Sequence, residues 1–165
     1  MKGYTRYIKK TKELGAKAAK VISAKSIVTA EWVRLKCQFG CDGYGYALTC
    51  PPNSPTPEQT RRMLGDYKYA ILVRGDESSD IRKIVTTLER EIFLDGYYKA
   101  FAMASGPCRL CAKCPQFCTH PEQARPSMEA CGIDVYATAR ASRFPIKVLK
   151  ATICNGNYYG VVLIE

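Results

Sequence analysis

One histidine, His120, is all the chain has of the side chain most used for proton transfer near neutral pH. No carboxylate pair, Ser/His/Asp set or glycine-rich phosphate cradle accompanies it, so side-chain acid–base catalysis has little to build on. No apolar run approaches the roughly 20 residues that a membrane-spanning helix needs. The first twenty residues are rich in lysine but contain no apolar stretch and no cleavage pattern. They are therefore not a secretory signal, and the expected location is cytoplasmic. Acidic residues are scarce: 15 Asp and Glu stand against 25 Lys and Arg, a formal net charge of +10. Repeats, low-complexity tracts and linkers are also missing. With 47% hydrophobic residues in 165, disorder is excluded and one compact domain over 1–165 is expected.

The basic excess concentrates early, at Lys9, Lys10, Lys12, Lys17, Lys20 and Lys25. No run interleaves basic with aromatic residues as a single-strand binder would, which disfavours nucleic acid. Two readings remain: a solvated helix face, or a docking surface for an acidic redox partner protein. Thiolate-bound clusters carry negative charge, so part of the excess would also balance them.

Periodicity supplies the elements. Leu14, Ala18, Val21 and Ile22 predict a helix over 9–22, and Ile27, Val28, Trp32 and Val33 a strand within 26–36. Thr56, Pro57 and Gln59 form a capping box that opens a helix ending at Gly65. An apolar strand is predicted over 69–74. A helix follows over 79–95, with the stripe Ile81, Ile84, Val85, Leu88, Ile92 and Phe93, stopped by Gly96. A second strand over 97–104 completes a βαβ crossover with parallel, right-handed pairing. Short helices are predicted over 121–131, ended by Gly132, and over 134–142, capped by Asp134. Asn155-Gly156 predicts a hairpin joining 147–154 to 158–164. The expected class is α/β (α+β), a single compact domain with a small sheet flanked by helices and two cysteine-rich cluster-binding loops.

Nine cysteines are many for this length. Their odd number and the missing export signal disfavour a disulfide scaffold, and in a reducing compartment such density points to metal. Cys108, Cys111, Cys114 and Cys118 are spaced C-x2-C-x2-C-x3-C, the spacing of the bacterial ferredoxin run. Thiols two residues apart on a tight loop reach neighbouring corners of a 4Fe-4S cubane, and Gly106 and Pro107 let the loop curl. Zinc is the competitor, although structural zinc sites pair a C-x2-C with a second, separate pair. Cys37, Cys41 and Cys50 form the second group, with Gly40, Gly43, Tyr44 and Gly45 between them and Pro51-Pro52 behind.

Two pairings are open. In the first, Cys50 completes the site of Cys108, Cys111 and Cys114, while Cys37, Cys41 and Cys118 share another cluster. In the second, the four C-terminal cysteines hold one cluster and Cys37, Cys41 and Cys50 form a three-thiol site with one iron open. Cys131 and Cys154 read as buried, inert thiols. His120 reads as the start of a short helix with Thr119 and Glu122 capping it, or as a further ligand.

Three segments carry a resemblance: Cys37-x3-Cys41-x2-Tyr44-Gly45-x4-Cys50-Pro51-Pro52, Gly106-Pro107-Cys108-Arg109-Leu110-Cys111-x2-Cys114, and the stretch from Pro121 through Ala124-Arg125-Pro126-Ser127-Met128-Glu129-Ala130 to Val135. Together they resemble the predicted metal-binding family known as domain of unknown function 2284, from Trp32 to the last residues. The resemblance implies a metal or iron–sulfur protein of bacteria and archaea, many of them anaerobes, and carries over Cys37, Cys41, Cys50, Cys108, Cys111, Cys114 and Cys118 as ligands. Arg125 has two readings: it sits near the cluster sulfurs or an anionic ligand, or it is a salt-bridged structural residue. Tyr44, Tyr46 and Arg125 are the candidate substrate anchors.

The leading expectation is an iron–sulfur protein with one or two 4Fe-4S clusters, serving electron transfer in anaerobic metabolism. The alternatives are an enzyme or enzyme activator with an open-site cluster, and a structural Zn2+ module.

Overall fold

The structure is a computed structural model and describes residues 2–150 and 155–165. In chain order its elements are α1 (Thr5–Glu13), β1 (Ala18–Ser23), α2 (Trp32–Gly40), α3 (Pro57–Leu64), β2 (Tyr69–Gly75), α4 (Ile81–Leu94), β3 (Phe101–Met103), α5 (Val135–Ala141) and β4 (Tyr158–Leu163). Single 3-10 turns occur at Lys2–Tyr4, Ala24–Ser26 and Glu129–Cys131.

Period-two alternation organises the centre. Along β2, Ala70 and Leu72 enter one core layer while Ile71 and Val73 enter the other. Along β4, Tyr159, Val161 and Leu163 alternate in the same way with Val162 and the following Ile164. The sheet is antiparallel throughout, in the order β1-β2-β4-β3. Helices α1 and α4 pack on one face with Tyr4, Tyr7, Ile84, Val85 and Leu88. The other face carries Leu64 of α3, Val135 and Ala139 of α5, and Met128, Cys131 and Ile133. Each such aliphatic side chain contributes on the order of 1.5–3 kcal/mol by leaving water. The result is an α+β domain.

Helices α3 and α4 form where their signals predict. Thr56 and Gln59 make the full capping box, with Pro57 at the first turn. Asp80 caps α4 by accepting from the Lys83 amide at 3.0 Å, and Gly96 follows it with φ 98°. Asp134 caps α5 by accepting from the Ala137 amide at 2.8 Å, and Gly132, with φ 73°, closes the 3-10 turn before it.

Several expectations are corrected. The helix predicted over 9–22 stops at Glu13, because Gly15 takes φ 104° and the β-branched Val21 and Ile22 join β1. The strand predicted within 26–36 reduces to one bridge, Thr29 to Ile133, and Trp32 and Val33 instead start α2. β2 and β3 do not pair. Both are antiparallel to β4, which lies between them, so the parallel crossover is split by a strand from far along the chain.

Residues 121–131 form a turn, an extended segment and the 3-10 turn Glu129–Cys131, not the α-helix expected. Pro126 disfavours helical geometry at Arg125, and Pro126 and Met128 bond to Ala104 on the edge of β3. Thr119 and Glu122 accordingly make no capping box; His120 O accepts from the Gln123 and Ala124 amides in a turn. Phe93, placed in the apolar stripe of α4, is 53% exposed. The predicted hairpin is absent from 147–150, which hold no strand; the rest of that arm lies outside the described residues.

Candidate metal centre

Two cavities, both lined by cysteines, lie side by side. The larger is about 410 Å³. Its walls are Trp32, Val33 and Cys37 of α2, the loop that follows (Cys41, Tyr44, Cys50), Gly106 and Pro107, Glu129 and Ala130, and Ile133 to Tyr136 ahead of and within α5. The smaller is about 30 Å³ and is lined by Cys108, Cys111, Cys114 and Cys118, with Leu48, Thr49, His120 and Ala124. That volume suits about one water, so this loop must spread for anything larger to enter.

The two cysteine loops interlock. The Leu48 amide, from the first loop, donates to Cys114 Sγ in the second at 3.4 Å, and the His120 amide donates to Cys118 Sγ at 3.4 Å. Such N–H···S bonds favour thiolate over thiol and tune whatever the sulfur binds. Gly43 is wedged between the loops: a Cβ there would stand 3.0 Å from Cys50 Sγ, 3.1 Å from Pro107 Cβ and 3.7 Å from Cys41 Sγ. Gly43→Val is therefore expected to cost about 1–3 kcal/mol in chemical denaturation, the usual range for overpacking. Gly43→Ala, whose methyl needs only slight give, should cost less; equal stability of all three proteins would refute this packing.

Burial raises the thiols of Cys37 and Cys50 above the ordinary range, and neighbouring thiols add to the effect at both. Holding these sulfurs as anions thus requires a compensating positive charge. Both cavities also show an orphaned polar atom. Thr49 Oγ1 is buried beside the smaller without a hydrogen-bond partner, and Glu129 Oε2 beside the larger. Burial holds the Glu129 carboxyl above the usual carboxylate range. The soft sulfur set, the narrow glycine wedge and the orphaned atoms all fit a bound metal group. Among the described residues, no three His, Cys, Asp or Glu side chains converge closely enough to hold a single ion.

The structure brings the seven motif cysteines to these two cavities and keeps Cys131 apart. Cys131 is fully buried in the core, and loss of water pushes its thiol up to about 12. Cys154 lies outside the described residues. Tyr44 lines the larger cavity. Tyr46 is 56% exposed and lines neither.

Arg125 also lines neither cavity. Its guanidinium donates through Nε and Nη2 to the two carboxylate oxygens of Glu89 at 2.8 Å each, and the Ala102 amide donates to Glu89 Oε2 at 3.0 Å. Hydrogen bonding to Glu89 raises the guanidinium further above its ordinary range. Sequence reasoning singled out neither Glu129 nor the cavity walls Trp32, Lys36 and Tyr136. The available signal was the position of Glu129 inside the stretch around Arg125-Pro126-Ser127, two residues before a cysteine.

The lysine-rich α1 packs with α4 on the sheet face opposite the layer that includes Ile133 and Val135 of the cavity wall. Several of its neighbourhood's lysines are engaged locally: Lys10 with Glu91 at 3.1 Å, Lys17 with Asp76 at 3.1 Å, and Lys20 with the Ser142 and Arg143 carbonyls. Among the described residues, no helix is long and apolar enough to cross a membrane.

Comparison with curated proteins and with solved structures found no match to either. A family model does match, over residues 20–164, and it takes in both cysteine groups and the wall between them. The chain belongs to the family described as predicted metal-binding protein (DUF2284).

Proposed function

We propose that the metal group is iron–sulfur, with Cys108, Cys111, Cys114 and Cys118 holding one 4Fe-4S cluster and Cys37, Cys41 and Cys50 a second, and that the protein exchanges electrons with an acidic partner in an anaerobic cytoplasm. The observation that carries this reading is the division of the seven thiols into a four and a three, each around its own cavity. That division favours the second of the two pairings weighed from sequence. The C-x2-C-x2-C-x3-C run suits a cubane better than one tetrahedral Zn2+, whose structural sites pair one C-x2-C with a second, separate pair.

A bound cluster supplies reversible one-electron transfer. The chain's part is to hold and tune it. The Leu48 and His120 amides donate to sulfur and so favour the more reduced, more negative state. Docking at the cysteine side would use the exposed apolar residues Trp32, Leu35 and Phe39 of α2 and Phe117. The exposed cations Lys36, Arg109 and Lys113 beside them would favour an acidic partner. The lysines of α1 lie on the far face and are a poorer docking surface for this purpose.

Anaerobic purification tests the reading. Iron and sulfide should be present in equal amounts, with an absorption band near about 400 nm that bleaches with dithionite. Colourless protein carrying stoichiometric zinc would sink it. The larger cavity favours one second reading, an enzyme or activator whose open iron meets a small ligand there. Its mark would be a cluster spectrum that shifts on adding that ligand.

A further inference from the structure

We infer that Glu129 is the fourth donor of the three-thiol site, a carboxylate oxygen ligand standing where a fourth cysteine would otherwise be. The inference rests on the iron–sulfur reading and goes further, to a residue that no motif assigns.

Three sulfurs, from Cys37, Cys41 and Cys50, line the larger cavity, and Glu129 is the one acidic side chain besides Asp134 in its wall. Asp134 is committed elsewhere, since it caps α5 through the Ala137 amide. Glu129 is held only locally, by its own backbone and the Ser127 side chain, and burial outweighs both. Its Oε2 is buried and accepts no hydrogen bond. No ion pair among the described residues includes it. Of the two cations on the facing helix, Arg34 donates instead to Ser54 and to the Ser54 and Pro55 carbonyls, and Lys36, which lines the same cavity, makes no ion pair with Glu129 among the described residues.

A carboxylate oxygen buried without a partner is costly, and either a proton or a positive centre relieves it; the three thiols beside it make that centre a metal. The backbone already holds the residue at the site: Glu129 O lies 3.9 Å from Cys37 Sγ. The 3-10 turn Glu129–Cys131 is fixed from below by Ser54 Oγ on Ala130 O and by Thr60 Oγ1 on Cys131 O, both at 2.6 Å. An oxygen is a harder and weaker donor to cluster iron than thiolate. The iron it binds should therefore differ from its three neighbours and be the first to leave.

The test is reconstitution of the full chain under anaerobic conditions with isotopically labelled iron and sulfide, followed by Mössbauer and EPR spectroscopy. The wild type should show one iron subsite distinct from thiolate-ligated iron, and Cys37→Ser should abolish it, which locates it at the three-thiol site. Glu129→Ala should lose that subsite, dropping from about eight to about seven irons per chain and gaining the oxidised three-iron EPR signal. Glu129→Cys should restore the count with an all-thiolate spectrum, and it guards against an alanine variant that fails to fold. Retention of the distinct subsite in Glu129→Ala, or its absence from cluster-loaded wild type, would overturn the assignment while leaving the iron–sulfur reading intact. A wild type that takes up no cluster would overturn both.

Discussion

Glu89→Ala is expected to lower the free energy of unfolding by about 3–5 kcal/mol, the range for breaking one side of a buried ion pair. The pair qualifies as buried: the side chains of Arg125 and Glu89 are 18% and 12% exposed. Three donors lose their acceptor at once, two on the Arg125 guanidinium and the Ala102 amide on the edge of β3. The cation left behind still lies over the Phe101 ring, 5.7 Å from its centroid, but a ring face compensates a desolvated guanidinium far less than a carboxylate does. Glu89→Gln keeps an acceptor without the charge and should fall between alanine and wild type. Arg61→Ala is the control, because its pair with Glu58 is more than half exposed on both sides and should be worth under about 1 kcal/mol. Denaturant titration of the four proteins decides. If Glu89→Ala matches Arg61→Ala, the pair does not anchor the fold. Part of the loss should reach the metal site, since Arg125 leads into the Pro126–Met128 segment that lies along β3 and carries the chain on to Glu129.

If the proposed clusters are bound, Cys111→Ser is expected to remove about four irons and an equal amount of sulfide per chain, the content of one cubane, while the three-thiol site keeps its own. Cys111 lines the smaller cavity and belongs to the loop that has to spread on loading. A serine hydroxyl is a poor, hard substitute for thiolate. With one corner unheld, the three remaining cysteines of a loop without helix or strand have little to keep them in place. Iron and sulfide analysis of anaerobically reconstituted variant and wild type checks it. An unchanged iron content would remove Cys111 from the ligand set. Loss of all iron would mean that the two cavities share one inorganic group.

Local signals were the readable part of this chain. The stripe of α4, the capping box of α3 and the Asp134 cap are each decided within a few residues, and each appears as read except for Phe93, which leaves the stripe for the surface. What could not be read was decided at long range. Nothing near Tyr69 or Phe101 says that Tyr158–Leu163 will separate them. The 121–131 segment has acceptable helix formers, yet Glu89 and Ala104, from other elements, hold Arg125 to Met128 extended. At α1 the misreading was local: the glycine that stops the helix was passed over. The cysteines were legible by spacing. The choice between the two pairings was not, because the Cys50 thiol comes beside both Cys41 and the Cys108 backbone only through the fold. Glu129 was hidden for the same reason, since an unpartnered carboxylate becomes visible only when its surroundings are known.

The strand order also sets a timetable for biosynthesis. β4 is made after every other element, yet it belongs in the middle of the sheet. On a nascent chain β2 and β3 therefore have no shared partner, and the layer under the cysteine loops cannot close until residues 158–163 have left the ribosome. Until then the thiols hang from an unfinished scaffold, open to oxidants and to stray metals. A metal group bound there would accordingly find its full protein frame only once β4 has taken its place between β2 and β3.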